Sequence, residues 1–307
     1  MRILVIGAGA VGGYFGARLA AAGRNVTFLV RGGRAEQLRR TGLQIKSSQG
    51  DVTVQPKLLL AAEIKEPFDL ILLSTKAYSL DAAIHDFAPA VGPQTAIFPL
   101  LNGMRHLDML VARFGEAAVL GGTTRIVADL DSEGIVHQVG PLHDVTYGER
   151  DKSVSPRIER IDATMRDCGF PTTLSSDILA AMWSKWVMLS SMAAITCLLR
   201  GSVGQVETVR GGVETAKALI AESSAIAMAN GYPQTEEFLA QHTARMTQPG
   251  SALTASMFRD LQKGAPVEVE HVLGDFLSRG EACGVETPLL RAAYVQLSIY
   301  SESLGRK

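Results

Sequence analysis

The stretch RILVIGAGAVGGYFGARLAAAGRNVTFLV, residues 2–30, decides the fold of the first half of the chain. Its opening RILVIG is an apolar run rich in Ile and Val, typical of a fully buried parallel strand. A glycine turn and an Ala-rich helical segment follow, and NVTFLV (25–30) predicts a second strand. Strand, turn, helix and strand within about 30 residues are what a mononucleotide-binding unit requires.

Three glycines of this stretch have separate physical tasks in such a unit. Gly7 allows the tight turn, Gly9 lets backbone amides approach a pyrophosphate, and Gly12 lets the helix pack closely on the strand. The phosphate then lies at the positive N-terminus of the helix. The alternative is a glycine-rich turn that only packs. The position of the motif between a clear strand and a clear helix favours a dinucleotide site.

The residues after the second strand indicate which dinucleotide binds. An NAD site usually has an Asp or Glu there for the ribose 2′-hydroxyl, but this chain has VRGGR (30–34) and no acid before Glu36. Arg31 and the nearby Arg34 suit a 2′-phosphate, because guanidinium groups make charge-assisted and bidentate contacts to phosphate. Solvated loop arginines are the alternative. We predict NADP as the cofactor.

Further strands continue the predicted sheet. LQIKSS (43–48) and DVTVQPKLL (51–59) are expected to be hairpin-like, and FDLILLST (68–75) and QTAIFPLLN (94–102) are buried strands. Lys76 and Asn102 follow the last two strands, and ligands of open α/β sheets gather at the carboxyl ends of strands. Both residues are therefore candidate site residues, with ordinary surface positions as the alternative.

Composition excludes several classes of function. The 307 residues carry 30 basic and 31 acidic side chains without a Lys- or Arg-dense run, so we expect no nucleic-acid partner. The three cysteines make no CxxC pair, we assign no metal site, and a reducing cytoplasm is the expected location. The apolar stretch AAMWSKWVMLSSMAAITCLL (180–199) could pass for a membrane span, but it contains Lys185 and three serines. We expect no membrane partner.

The second half has long helical windows, so we predict an α/β fold in two domains. An N-terminal Rossmann-type dinucleotide-binding domain (1–176) precedes an all-helical C-terminal domain (177–307). Helical spacing places Leu189, Met192, Ala193 and Thr196 on the face of Lys185. Desolvation there lowers the pKa of a lysine and improves it as a proton donor, whereas a snorkelling lysine is the equal alternative. Glu268 stands at a helix start, where favourable interaction with the helix dipole would alone explain it.

Motifs along the whole chain resemble those of the ketopantoate reductase (2-dehydropantoate 2-reductase) family. They are GAGAVGG, VRGGR, STKAY, LLNG, WSKW, ASMFRDLQKG, VEVEHVLG and GVETP, in this order and across both domains. The resemblance implies NADPH-dependent reduction of 2-dehydropantoate to pantoate, a step of pantothenate biosynthesis. It also implies a small-molecule 2-oxo acid as the partner, and a homodimer is an assembly to be tested.

The resemblance assigns a role to each matching residue. Lys185 would protonate the alkoxide as hydride arrives, and Glu268 would hold the distal hydroxyl of the substrate and support the lysine. Ser256 would bind substrate. The cofactor-binding positions are Gly7, Gly9, Gly12, Arg31, Lys76 and Asn102, with Asn102 also facing the substrate.

The chain departs from the family pattern at two positions. The family has Asn four and eight residues after the lysine, whereas this chain has Leu189 and Ala193. Ser190 and Ser191 point about 140° and about 240° away from Lys185 and do not obviously replace them. The substrate is therefore open between 2-dehydropantoate and another 2-oxo acid. A related dehydrogenase for another hydroxy or amino acid and a non-catalytic NADPH sensor are the alternatives.

Overall fold

The computed structural model describes residues 1–305 and divides them into two units. The first, here called the Rossmann unit, comprises Met1–Leu101 and His106–Ala181. The second, the helical unit, comprises Asn102–Arg105 together with Met182 onward. An α/β unit with a parallel sheet is thus followed by a helical one, which confirms the predicted fold class. The predicted boundary at 176/177 lies just before a long helix, and the two units divide within that helix, after Ala181.

Ten strands build the Rossmann unit. They are β1 (Arg2–Ile6), β2 (Asn25–Leu29), β3 (Leu43–Ser47), β4 (Val52–Val54), β5 (Lys57–Leu59), β6 (Leu70–Leu73), β7 (Ala96–Pro99), β8 (Gly121–Leu130), β9 (Val136–Gly148) and β10 (Thr172–Leu174).

Twelve α-helices occur in the described residues. They are α1 (Ala10–Ala21), α2 (Gly32–Thr41), α3 (Leu80–Phe87), α4 (Arg105–Phe114), α5 (Pro156–Met165), α6 (Ile178–Leu198), α7 (Val203–Glu207), α8 (Gly212–Ala229), α9 (Glu236–Met246), α10 (Ser256–Gln262), α11 (Asp275–Ala282) and α12 (Pro288–Gly305). A π-helical turn, Glu270–Gly274, leads into α11.

The main sheet is parallel, with strand order β5-β2-β1-β6-β7. Its central strands β1, β6 and β7 are apolar and buried except at Arg2, the first residue of β1, which is partly buried. Such apolar runs are expected where helices cover both faces of a parallel sheet. In this architecture, ligands are expected to bind at the carboxyl ends of the strands. β1 and β6 end at Ile6 and Leu73, which are paired in register.

Helix α1 packs unusually closely on the main sheet. A Cβ added to Gly12 would lie 2.0 Å from Ser74 Oγ and 2.4 Å from the carbonyl oxygen of Gly7. One helical turn later, a Cβ on Gly16 would lie 2.6 Å from the Phe28 ring. Only glycine allows such an approach. The close packing therefore involves Gly16 as well as Gly12 of the predicted motif.

Strands β3 and β4 correct one prediction. They form the expected antiparallel hairpin, but they belong to a second sheet of order β10-β9-β3-β4, to which β8 pairs through β9. The segment 51–59 is two strands and not one, since β5 joins the main sheet beside β2. Pro56 lies between the two strands, where a residue without an N–H group interrupts a ladder.

Helix α6 forms part of the interior of the protein. Among residues 1–305 it alone is long and apolar enough to cross a membrane, and 56% of its most apolar window is buried inside the protein. Core helices of soluble proteins pass the same test of length and composition. Trp183 and Trp186 are almost fully buried, and the Trp186 ring lies 4.7 Å from that of Phe276.

Candidate functional site

The glycine loop between β1 and α1 has the geometry of a phosphate-binding turn. Gly7 has a φ of +90°, a conformation that L side chains rarely adopt, and its amide donates to Leu29 O. Gly9 is the N-cap residue of α1. Apart from its two chain neighbours, no residue of the described chain would have a heavy atom within 4 Å of a Cβ on Gly9. Gly9 therefore keeps open a space beside the helix N-terminus, whose first amides have no intrahelical acceptor.

Arg31 and Arg34 have different environments at the end of β2. Arg31 is exposed at the N-cap position of α2, and its side chain makes no capping hydrogen bond within residues 1–305. Arg34 is partly buried, and its Nε and Nη2 donate to Ala8 O at 3.2 and 3.0 Å. Its Nη2 also donates to Gly134 O at 3.1 Å. Arg34 thus ties the glycine loop to a distant turn, while Arg31 is exposed at the loop surface.

Arg34 also borders an open cavity of about 470 Å³ together with Gly33, Glu36, Gln37 and Arg40. Burial lowers the pKa of Arg34, and the charge of Asp131 opposes that shift. The sequence predicts Arg34, together with Arg31, as suited to a 2′-phosphate. The structure shows its guanidinium group bonded to the carbonyl oxygens of Ala8 and Gly134, which lie 26 and 100 positions away, so no local pattern could have indicated these contacts.

Leu73 and Pro99, the last residues of β6 and β7, are paired in register. Lys76 follows Leu73 by three residues, and Asn102 follows Pro99 by three residues. Lys76 is exposed and is the N-cap residue of a short 3₁₀ turn, Ala77–Ser79. Asn102 is partly buried and belongs by its contacts to the helical unit.

Lys185 is partly buried in α6 between the two buried tryptophans. On its face of the helix, Leu189 and Met192 are partly buried, whereas Ala193 and Thr196 are buried. Three of these four residues are apolar, so the side of α6 that carries Lys185 is mainly apolar.

Glu268 is partly buried and precedes the π-helical turn. Its carbonyl oxygen accepts a 3.0 Å hydrogen bond from the Val272 amide. The helix start predicted at Glu268 does not lead into a continuous α-helix, because the hydrogen bond from the Asp275 amide to Glu270 O is of the wider i→i−5 type. Glu268 is therefore held at the entrance of an irregular turn rather than in a regular helix.

Helix α6 contacts the turn after Glu268 and the segment that precedes Ser256. Trp186 Nε1 and Ser190 Oγ both donate to the carbonyl oxygen of Val272, at 2.9 and 3.1 Å. Thr196 Oγ1 accepts from the amide of Ala255, at 3.4 Å, immediately before the exposed Ser256.

The segment of Asn102 packs against the same π-helical turn. A Cβ on Gly103, whose φ is +76°, would lie only 2.1 Å from His271 O. Helix α6 thus contacts this turn near Lys185, through Trp186 and Ser190, and contacts the start of α10 at Thr196, eleven residues further along the helix. These contacts connect α6 with the segments that carry the other three predicted residues of the helical unit. Those residues are Asn102, Ser256 and Glu268.

The two serines after Lys185 have structural hydrogen bonds. Ser190 donates to Val272 O, and Ser191 Oγ lies 2.7 Å from both Val187 O and His242 Nε2. With the Ser191 hydroxyl donating to Val187, the tautomer of His242 that carries its proton on Nε2 completes the hydrogen bond to Ser191. Neither hydroxyl replaces the amides that the family has at positions 189 and 193. No group of three or more His, Cys, Asp or Glu side chains able to hold a metal ion occurs in residues 1–305.

Comparison with known proteins gives matches over nearly the whole chain. The family described as ketopantoate reductase PanE/ApbA matches residues 3–152, and its C-terminal domain family matches residues 177–301. A Bacillus subtilis protein named uncharacterized oxidoreductase YkpB is 34% identical over 98% of this chain and 99% of its own. A 2-dehydropantoate 2-reductase of Archaeoglobus fulgidus is 29% identical over 94% of each chain. The crystal structure of 2-dehydropantoate 2-reductase from Geobacter metallireducens superimposes with a TM-score of 0.88 at 26% identity, covering 97% of this chain and 99% of that one.

Proposed function

The chain belongs to the ketopantoate reductase family, and on that premise we propose that it reduces the ketone of a 2-oxo acid with NADPH, using Lys185 as the general acid. The first substrate proposed is 2-dehydropantoate, whose reduction gives pantoate for pantothenate synthesis. The observation that supports the proposal is that α6, which carries Lys185, bonds the turn after Glu268 and the residue before Ser256, while Gly103, next to Asn102, packs on the same turn.

The residues of the Rossmann unit fit a dinucleotide. Gly9 leaves space where a pyrophosphate would approach, and the N-terminus of α1 provides amides for it. Arg31, exposed at the end of β2, is the proposed partner of the 2′-phosphate. Lys76 is proposed to contact the cofactor at the end of β6, with Gly7 and Gly12 setting the shape of the loop. The bound nicotinamide would supply the hydride.

The proposed chemistry in the helical unit concerns one proton. Negative charge develops on the ketone oxygen as hydride adds to carbon, so a cation that also donates a proton stabilises the transition state. Lys185 has the required ammonium group on an apolar helix face, where partial desolvation favours proton release. Glu268 would accept a hydrogen bond from the distal hydroxyl of the substrate and stabilise the charged lysine, and Ser256 and Asn102 would bind the substrate.

A second candidate is the reduction of a different 2-oxo acid with a more apolar side chain. Leu189 and Ala193 replace the amides of the family pattern, and the neighbouring serines bond elsewhere. The relative at 34% identity carries no substrate in its name, whereas the relative named 2-dehydropantoate 2-reductase is 29% identical. We also propose a cytoplasmic location, since the three cysteines are free thiols, and a homodimeric assembly.

The test is a substrate panel with purified protein. NADPH oxidation is followed with 2-dehydropantoate and with 2-oxo acids bearing apolar side chains, and NADH is assayed in parallel. Lys185→Ala should lower kcat by at least about 100-fold, since a general acid contributes about 10² to 10⁴ in rate. Lys217→Ala removes an exposed lysine of α8 and should act as wild type.

Two results would reject parts of the proposal. Normal turnover by Lys185→Ala would exclude the lysine as the acid. Tight NADPH binding by fluorescence without turnover on any 2-oxo acid would favour a sensor over an enzyme.

A further inference from the structure

The carbonyl group of Val272 has an unusual set of partners. A carbonyl oxygen has two lone pairs, and a regular helix engages it mainly with one amide. Here it accepts from both Trp186 Nε1 and Ser190 Oγ, two side chains one helical turn apart on α6. Both donors are buried, with exposed fractions of 1% and 0%. Breaking either hydrogen bond would leave a buried donor unpaired, so the α6 side chains strongly fix the position of this carbonyl.

The same residue holds Glu268 through the backbone. The Val272 amide donates to Glu268 O at 3.0 Å, while the Val272 carbonyl faces α6. A π-helical turn departs from the regular ladder and so depends on contacts from outside to keep its shape. Val272 therefore links Glu268 to the helix that carries Lys185.

The indole of Trp186 is itself immobilised. Its ring lies 4.7 Å from that of Phe276, at the start of α11, and the Arg279 guanidinium lies over it at 5.5 Å. The tryptophan thus contacts the π-helical turn at Val272 and the helix that follows it. The turn is fixed at both places relative to Trp186, the chain neighbour of Lys185.

We propose that Trp186 and Ser190 are positioning residues that fix Glu268 relative to Lys185 by jointly binding the Val272 carbonyl group. This inference rests on the proposed function of Lys185 and Glu268. It assigns a task to Trp186 beyond filling the core. A misplacement of about 1 Å in a catalytic arrangement costs about 100-fold in rate, so these two hydrogen bonds are expected to matter for kcat.

The experiment compares Ser190→Ala with Ser191→Ala. Both serines are fully buried in α6, but only Ser190 bonds Val272, whereas Ser191 bonds Val187 and His242. Ser190→Ala should lower kcat about tenfold with unchanged affinity for NADPH and should move the alkaline limb of the pH profile to lower pH, because the ammonium group is less stabilised. Ser191→Ala should lower thermal stability and leave kcat and the pH profile unchanged.

A second pair tests the indole donor. Trp186→Phe removes Nε1 and keeps an aromatic ring, and it should lower kcat about tenfold or more. Trp183→Phe removes a similar volume from the ring that stacks on Tyr232 and should leave kcat unchanged.

Hydrogen–deuterium exchange provides a readout that does not depend on the substrate. Amides of residues 268–276 should exchange faster in Ser190→Ala and Trp186→Phe than in the two control variants. Equal kcat and equal exchange in test and control variants would overturn the inference. If the wild-type protein reduced no 2-oxo acid, the proposed function would fail, and the exchange comparison alone would decide whether the two side chains hold the turn.

Discussion

Gly9→Ala should weaken cofactor binding and Gly12→Ala should lower stability, although both glycines belong to one loop. Gly12 is closed in by the protein, whereas within residues 1–305 only the two chain neighbours of Gly9 would lie within 4 Å of a Cβ on it. Neither backbone has the positive φ that marks Gly7. The two substitutions therefore separate packing of the loop from its use as a binding surface.

The cost at Gly12 follows from the contacts of the added methyl group. Ser74 Oγ, 2.0 Å away, could rotate only by losing its 3.0 Å hydrogen bond to Ile6 O. The Gly7 carbonyl, 2.4 Å away, is backbone, so α1 has to move off the sheet. Overpacking costs about 3 kcal/mol at the upper end, and the better helix propensity of Ala returns about 1 kcal/mol. The net loss of about 2 kcal/mol should lower the unfolding midpoint by about 4–8 °C.

Gly9→Ala should weaken cofactor binding and leave stability nearly unchanged. As an N-cap residue, Ala stabilises a helix less than Gly does, by up to about 1 kcal/mol. Ala also lowers the conformational entropy of the unfolded chain, which stabilises the folded protein by about the same amount. Stability should thus change by less than about 0.5 kcal/mol. The methyl group would occupy the space for a phosphate and would remove at least one charge-assisted hydrogen bond, worth about 2 kcal/mol, or about thirtyfold in Kd.

The assay measures NADPH affinity by fluorescence titration and stability by thermal unfolding without cofactor. Gly305→Ala is the control, because this residue of α12 is equally open among the described residues and lies in the other unit. Gly9→Ala with wild-type affinity would refute the assignment of the open space to a phosphate. Gly12→Ala with a wild-type midpoint would refute the packing estimate.

Three further predictions concern charge. Burial lowers the pKa of His242 to about 4, so between that value and the unfolded-state value near 6.5 it is mainly the unfolded chain that takes up the proton. The His242 contribution to the free energy of unfolding should therefore fall by about 3 kcal/mol between pH 6.5 and 4, and urea unfolding should show it as a difference in pH dependence between wild type and His242→Gln, because the other titrating groups are common to both. Arg31→Ala should raise the KM for NADPH about tenfold or more and leave that for NADH unchanged, since one charged contact to the 2′-phosphate is lost. Arg34→Ala should lower the unfolding midpoint and weaken the binding of both NADPH and NADH, because it releases the glycine loop. If Arg31→Ala preferred NADPH over NADH as strongly as the wild type does, the proposed contact of Arg31 with the 2′-phosphate would be wrong.

The central strands of the main sheet could be predicted because each is buried on both faces and reads as an apolar run. The residues of a strand do not indicate which other strand it pairs with. Segment 51–59 was predicted as one hairpin strand, whereas β4 and β5 enter different sheets on either side of Pro56. Helix α7 was missed, although its capping box, Ser202 with Gln205, is a local signal that could have indicated it.

In the candidate site, too, local features could be predicted and long-range contacts could not. Residues with a chemical signature, such as Lys185 and Glu268, could be named from motifs. The contacts that hold them could not, because Val272 meets Trp186 across more than eighty positions of sequence. A π-helical turn has no periodic pattern of its own, and the sequence indicated only a regular helix there.

The faces of α6 separate the two positions that depart from the family pattern from the side chains that bond the π-helical turn. Leu189 and Ala193 lie about 40° and about 80° around the helix from Lys185, whereas Ser190 lies at about 140° and makes the bond to the π-helical turn. Side chains that would contact the substrate and side chains that hold Glu268 are therefore different residues. Replacing amides at positions 189 and 193 changes the polarity of the surface beside the ammonium group without touching the donors to Val272. The substrate can thus differ while the arrangement of acid and supporting carboxylate is kept.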